Sequence, residues 1–185
     1  MSSSNTSNIM ATYNRLPVAF ESGRGATLVD TEGREYLDAV SGVAVCALGH
    51  AHPAVTEAVC EQAGRLVHTS NLYGIPLQEE VAGELARLSG LDRVFFANSG
   101  AEANESAIKL ARRYGHDVRE IERPEIVVMQ SSFHGRSMAT LTATGNRKVQ
   151  AGFEPLLPGF KRVPYDDLEA VERVASDNTV AVLVE

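Results

Sequence analysis

The residues from 98 to 105 have the types and the order of an anion-binding helix start. They read N-S-G-A-E-A-N-E and follow a short apolar run. Ser99 and Glu102 have the spacing of a capping box, and Gly100 permits close approach to the backbone. Free N–H groups and the helix dipole favour a phosphate at such a point, although the pattern equally fits an ordinary well-capped helix. The Glu102 carboxylate would repel a phosphate unless it turns back to cap the backbone.

A second candidate segment, S-F-H-G-R at residues 132–136, lies just beyond an apolar run that ends near Gln130. This is the edge at which open α/β sheets bind ligands. Phe133 offers a stacking surface to a planar group, and Arg136 offers a bidentate partner to a carboxylate. The alternative is an exposed loop arginine beside a core phenylalanine.

Other motifs are weaker. The chain has no G-x-x-x-x-G-K-[ST] sequence, and the glycines at 23 and 25 are not continued to a dinucleotide fingerprint. His50 and His52 invite a metal interpretation, but no further ligand cluster in the sequence completes a site. We therefore interpret them as part of a structural turn before Pro53 and expect no metal site.

Several elements must position these residues. Residues 26–30 and 35–37 predict a hairpin, and helices are predicted to begin at Pro53 and Pro76, the second ending at Gly90. From there on, the apolar runs at 94–97, 126–129 and 180–184 alternate with helical patterns, including a helix at about 166–175. Buried strands joined by helices are typical of a parallel sheet in an α/β domain.

The helix that begins near Ser99 is predicted to continue through Tyr114. Its apolar positions predict a buried face made of Ala107, Ile108, Ala111 and Tyr114. The charged positions Glu105, Lys109, Arg112 and Arg113 predict a solvated face, on which Glu105 and Lys109 would pair at i, i+4.

Composition limits the function classes. The 185 residues are 44% hydrophobic and carry a net charge of −7, which favours one or two globular domains and disfavours nucleic acid or an anionic membrane as partner. The two cysteines, Cys46 and Cys60, form no C-x-x-C pair and are interpreted as reduced core thiols. The polar N-terminus lacks the apolar stretch of a signal peptide, and no segment is apolar over the roughly 20 residues of a membrane span. We therefore expect a cytoplasmic protein.

Five ordered motifs together resemble the class III (subgroup II) aminotransferases, and within them the branch that acts on acetylornithine. The resemblance implies a fold-type I α/β homodimer that uses pyridoxal 5′-phosphate to move an amino group between N2-acetylornithine, an amino donor of arginine biosynthesis, and the 2-oxo acid 2-oxoglutarate. The motifs lie at residues 36–38, 48–53, 98–105, 109–112 and 133–136, and the match closes on 182–185.

The resemblance also implies a domain organisation. Residues 1–10 correspond to a flexible tail, and residues 11–52 correspond to an N-terminal segment of the small domain. Residues 53–185 correspond to the first part of the large, mostly parallel sheet domain that binds the cofactor.

Carried over position by position, the resemblance places the cofactor phosphate on Ser99, Gly100 and Ala101. It stacks the pyridine ring against Phe133, with His134 beside it. This agrees with the chemistry expected of the two segments from their residues.

Three further positions are implied to contact substrate. Arg136 matches the arginine that binds a substrate carboxylate, and Tyr13 matches a tyrosine that helps to position substrate. Val43 stands where ornithine aminotransferases typically have a tyrosine that contacts ornithine. The valine therefore favours the acetylated donor.

The family's covalent lysine has no match among Lys109, Lys148 and Lys161, the three lysines of the chain. No catalytic residue is therefore assigned, and we expect a portion of a longer enzyme that is inactive alone. Ornithine, succinylornithine, 4-aminobutyrate and carrier-linked lysine remain alternative amino donors. A phosphate-binding module without catalysis is the alternative from another class.

Overall fold

The structure, a computed structural model, describes residues 8–185. Most of the predicted tail at 1–10 thus lies outside the described residues. The chain divides into two compact units, the first ending at Pro76 and the second comprising Leu77–Glu185. The domain boundary predicted after residue 52 differs from this division and stays a prediction.

The first unit contains a three-stranded antiparallel sheet in the order β1-β2-β3. The predicted hairpin of β2 and β3 is confirmed, whereas β1 was not predicted because Ser22 and Gly23 weaken its strand propensity. The helix predicted at Pro53 is also confirmed. The elements are β1 Phe20–Arg24, β2 Thr27–Asp30, β3 Glu35–Leu37, α1 Ser41–Ala44 and α2 Pro53–Arg65.

Asp30 holds the turn between β2 and β3 together. Its buried carboxylate accepts hydrogen bonds from the backbone N–H groups of Glu32 and Arg34, from Arg34 Nε at 2.7 Å and from the Tyr36 hydroxyl at 2.9 Å. Burial raises the pKa of Asp30, but these hydrogen bonds outweigh it and lower the pKa from 3.8 to about 2.

Acid should therefore weaken the first unit through Asp30. A carboxyl whose pKa is lowered in the folded state stabilises that state above its unfolded pKa, and the stabilisation is lost as the pH falls from 3.8 to about 2. Urea unfolding of the wild type and of Asp30→Asn at pH 5 and pH 2 tests this, because an amide does not titrate. We expect the wild type to lose more unfolding free energy than Asp30→Asn between the two pH values. Equal losses would contradict the prediction.

The motif at residues 48–53 forms a structural contact. Gly25 and His50 exchange backbone hydrogen bonds of 3.0 and 2.8 Å, and His50 Nε2 lies 2.6 Å from Asp38 Oδ2. Gly49 has a φ of +81°, and a Cβ there would lie 2.9 Å from Gly25 Cα, so glycine is required. This confirms the structural interpretation of His50. Within residues 8–185, no group of three or more His, Cys, Asp or Glu side chains is arranged to hold a metal ion.

The second unit is built on a parallel sheet in the order β5-β4-β6, which confirms the predicted α/β class. The predicted helices at Pro76, at Ser99 and near residues 166–175 are present. The elements of the second unit are α3 Pro76–Ser89, α4 Gly100–Asp117, β4 Glu125–Met129, α5 Met138–Ala143, α6 Arg147–Gln150, β5 Phe160–Val163, α7 Leu168–Val174 and β6 Thr179–Leu183. The first residue of α3, Pro76, is the last residue of the first unit.

The central strand β4 is covered on both faces, which explains its unbroken apolar run. Ile126 and Val128 pack against α4 and α5, whereas Val127 and Met129 pack against β5 and α7. Complete burial of such a side chain contributes about 1.5–3 kcal/mol. This core fixes the loop after β4 close to the start of α4.

Two predictions about this unit are wrong. Residues 94–97 form no strand, and Phe95 is 73% exposed, because no strand of the described part of the chain pairs with them. The predicted buried face of α4 is confirmed for Ile108 and for Ala111, which packs against the same core, but it is wrong for Ala107 and Tyr114, which are exposed. In the first unit, the prediction of core thiols is also wrong, since Cys60 is exposed and Cys46 is half-buried. None of the helices described combines the length and apolar character of a membrane span.

Candidate functional site

The start of α4 is capped in a way that leaves its outermost donors free. Ser99 is the N-cap, and its Oγ accepts a hydrogen bond from Glu102 N at 3.2 Å. The Glu102 carboxylate accepts from Asn98 N at 2.7 Å. Glu102 thus turns back onto the backbone, which is the condition for a phosphate to bind at this helix start.

The first turn of α4 retains the donors that an anion needs. Within residues 8–185, the backbone N–H groups of Gly100 and Ala101 have no hydrogen-bond partner. A Cβ added at Gly100 would meet no atom within 4 Å, so the space beside it is open. The free N–H groups and the positive end of an 18-residue helix favour a phosphate or carboxylate there.

The loop after β4 lies directly against this helix start. Gly135 has a φ of +136°, and a Cβ on it would lie 2.9 Å from Ala101 Cβ and 2.7 Å from Thr140 Oγ1. Any other residue would therefore push the loop away from α4. The structure thus brings the two predicted segments, 99–101 and 133–136, into contact.

The aromatic ring of Phe133 and the guanidinium of Arg136 are exposed to solvent in the loop that follows β4. Phe133 is 53% exposed, and the Arg136 guanidinium carbon lies 5.8 Å from its ring centroid. The backbone N–H of Phe133 donates to Glu185 Oε2 at 2.7 Å. Sequence reasoning missed Glu185, although a residue just after β6 reaches the same sheet edge as the loop after β4.

His134 faces the interior. The residue is 4% exposed. Its backbone N–H donates to Thr144 Oγ1 at 3.0 Å, and its backbone carbonyl accepts from Asn104 Nδ2 at 3.0 Å. Burial lowers the pKa of His134 below its usual value of 6.5; the Glu185 carboxylate opposes this shift. The neutral imidazole is therefore favoured at pH 7, and its Nε2 has no partner among the described residues.

An arrangement of this kind can accept a planar ring that carries a phosphate, together with a carboxylate. Residues 9–185 match the family model described as aminotransferase class III. The chain belongs to the class III aminotransferases. Pyridoxal 5′-phosphate is the cofactor of this family.

Individual class III aminotransferases are similar over nearly the whole chain. The acetylornithine aminotransferase of Nitrosomonas europaea is 62% identical over 181 residues, which are 97% of this chain and 46% of that protein. The ornithine aminotransferase of Toxoplasma gondii ME49 superposes with a TM-score of 0.91 at 34% identity, over 96% of this chain and 42% of its own. For the acetylornithine aminotransferase of Elizabethkingia anophelis the TM-score is 0.78 at 33% identity, over 95% and 40%. The chain spans about half the length of the curated relatives it matches.

The two substrate residues implied in the first unit of this class III aminotransferase are exposed. Tyr13 is 67% exposed and Val43 is 83% exposed. Val43 has a φ of +61°, a left-handed conformation that is strained for a β-branched residue. Strain of this kind collects at functional sites, but the roles of both residues stay predictions.

The predicted solvated face of α4 is wrong for Glu105. This residue is half-buried, and its Oε1 accepts hydrogen bonds from Ala139 N and Thr140 N instead of pairing with Lys109. Arg112 is also half-buried, whereas Lys109 and Arg113 are exposed. The i, i+4 spacing predicted an ion pair of Glu105 with Lys109 and not its hydrogen bonds to α5, because those partners are more than 30 residues away in the chain.

Proposed function

We propose that this chain supplies the phosphate, ring and substrate-carboxylate contacts of an enzyme that transfers an amino group between N2-acetylornithine and 2-oxoglutarate. The observation that carries the proposal is the contact of Gly135 with Ala101. It sets the loop bearing Phe133 and Arg136 beside the free N–H groups of α4.

The residues fit pyridoxal 5′-phosphate in both of its parts. Ser99, Gly100 and Ala101 would hold the phosphate, and Phe133 would stack on the ring, with His134 supporting the loop beneath it. When bound, the cofactor withdraws electrons from the carbon that carries the amino group, so that its proton becomes acidic.

The other residues of the proposed site select and orient the substrates. The Arg136 guanidinium would bind a substrate carboxylate, since a planar fork fixes orientation as well as charge. We propose that Tyr13 and Val43 contact substrate. A valine at position 43 leaves more room than the tyrosine typical of ornithine enzymes, which favours the bulkier acetylated donor.

The lysine that bonds to the cofactor must come from another part of the enzyme. Lys161 pairs with Glu125 at 3.2 Å, Lys109 is exposed on α4, and Lys148 is exposed in α6. We therefore propose that residues 1–185 alone do not transaminate.

We further propose a cytoplasmic homodimer that binds neither nucleic acid nor a membrane. Free thiols at Cys46 and Cys60 suit a reducing compartment, and the net charge of −7 disfavours polyanionic partners. Apolar side chains left exposed along α2 and α3, among them Val59 and Leu88, support an association that covers them.

A donor profile of the full-length protein tests the proposed reaction. With 2-oxoglutarate as acceptor, we expect kcat/KM for N2-acetylornithine to exceed that for ornithine by about 10-fold or more, a difference of about 1.4 kcal/mol. Succinylornithine, 4-aminobutyrate and carrier-linked lysine complete the panel. Val43→Tyr should reduce the preference.

Two outcomes would contradict the proposal. A preference for another amino donor would mean that this donor, and not N2-acetylornithine, is the substrate. Cofactor binding without turnover of any donor would favour a phosphate-binding module without catalysis.

A further inference from the structure

The short helix α5 does not stabilise itself. It comprises six residues, Met138–Ala143, and a helix of this length is not stable in isolation. Its N-cap residue Ser137 makes no side-chain capping bond. Its N-terminal donors are therefore satisfied from elsewhere in the fold.

Glu105 of α4 provides this cap from a distance. Its Oε1 accepts hydrogen bonds from Ala139 N and Thr140 N, each at 3.0 Å. A carboxylate at a helix N-terminus both satisfies free donors and complements the helix dipole.

The C-terminal end of α5 is held by two side-chain donors, one of which is a cation. Arg162 Nη2 donates to the carbonyls of Thr142 at 2.6 Å and Thr144 at 3.0 Å. Gln150 Nε2 donates to Leu141 O at 3.0 Å and Thr144 O at 2.8 Å. An anion at the start and a cation at the end thus fix α5 in place.

The position of α5 in turn determines the position of Arg136. Arg136 directly precedes the N-cap residue of α5, and Gly135 packs on Thr140. Thr144, just after α5, accepts from His134 N. A shift of α5 would therefore move the loop that carries the guanidinium.

We propose that Glu105 is a positioning residue for Arg136, and that it sets the distance between the carboxylate-binding guanidinium and the phosphate-binding start of α4. The proposal rests on the proposed function, because it assumes that Arg136 binds a substrate carboxylate. Glu105 lies two turns or less from Ser99 on the same helix. One rigid element therefore carries both the proposed phosphate site and the carboxylate that holds α5.

The test compares Glu105→Gln and Glu105→Ala in the full-length protein loaded with cofactor. Glutamine keeps an acceptor oxygen but loses the charge, whereas alanine loses both. We expect the KM for both substrates to rise about 3-fold in Glu105→Gln and about 10-fold in Glu105→Ala, the latter equal to about 1.4 kcal/mol. We expect kcat to change less than the KM does, and cofactor affinity to stay within about twofold.

Binding of glutarate, a dicarboxylate that cannot react, provides a readout without turnover. Its Kd, measured by calorimetry, should rise in parallel with the KM. Asp117→Asn is the matched control, because it removes a carboxylate from the same helix at an exposed ion pair with Arg113. It should leave KM and Kd unchanged.

Three results would overturn the proposal. The first is an unchanged glutarate Kd in folded Glu105→Ala, the second is a loss of cofactor affinity as large as the loss of glutarate affinity, and the third is a wild type that does not bind glutarate. If the wild type binds glutarate but transaminates no donor, the proposed function fails, while the glutarate titrations still decide the role of Glu105.

Discussion

Arg136→Lys in the full-length protein is expected to lower kcat/KM by about 30- to 1,000-fold for both N2-acetylornithine and 2-oxoglutarate, which equals about 2–4 kcal/mol. Acetylation of N2 leaves only the terminal amino group of N2-acetylornithine free to react, so its carboxylate is remote from the reacting carbon. 2-Oxoglutarate also has a carboxylate remote from its reacting carbon, so one fixed cation can serve both substrates. Arginine binds such a carboxylate through two parallel hydrogen bonds, whereas lysine supplies a point charge. The exposed Arg136 beside Phe133 is placed for this role at the sheet edge.

Half-reaction kinetics with each substrate measure this effect, together with a titration showing that the variant keeps its cofactor. Arg119→Lys, an exposed arginine just after α4, is the matched control and should change the rates by no more than about 0.5 kcal/mol. A similarly small change in Arg136→Lys would mean that this arginine merely solvates the loop. A loss confined to one substrate would show that it does not hold the remote carboxylate of both substrates.

Gly100→Val is expected to weaken cofactor binding by about 10- to 100-fold, or about 1.4–2.7 kcal/mol, while the protein stays folded. Loss of one hydrogen bond to a charged group has this size. A Cβ at Gly100 would meet no protein atom within 4 Å, so the fold accepts the side chain. The added methyl groups would occupy the open space in front of the free N–H groups.

Titration of the apoprotein with pyridoxal 5′-phosphate gives the affinity, and thermal unfolding reports on the fold. Gly83→Val is the matched control, since Gly83 lies on α3 and a Cβ there also meets nothing. It makes the same substitution in a helix, replacing glycine by a better helix former, without any proposed ligand contact. Unchanged cofactor affinity in Gly100→Val would refute the assignment of the phosphate site to α4.

Much of the fold could be read from local patterns. The apolar runs of β4 and β6, the helices that begin at Pro53 and Pro76, and the cap at Ser99 all follow from interactions between residues close together in the chain. The two segments of the candidate site were predicted for the same reason, because glycine, cap and aromatic positions have local signatures. That the two segments share one ligand was implied by the family resemblance.

Tertiary structure decided the features that depend on distant partners. Residues 94–97 have strand composition but form no strand, since strand geometry requires a neighbouring strand. Glu105 has the spacing of a surface ion pair, yet its carboxylate caps a helix 34 residues further along the chain. The chain by itself thus determined which elements form and where an anion could bind. Packing decided which charged side chain is solvated and which one holds the loop of Arg136 in place. The sequence could not show this, because hydrogen bonds between distant residues leave no periodic pattern in it.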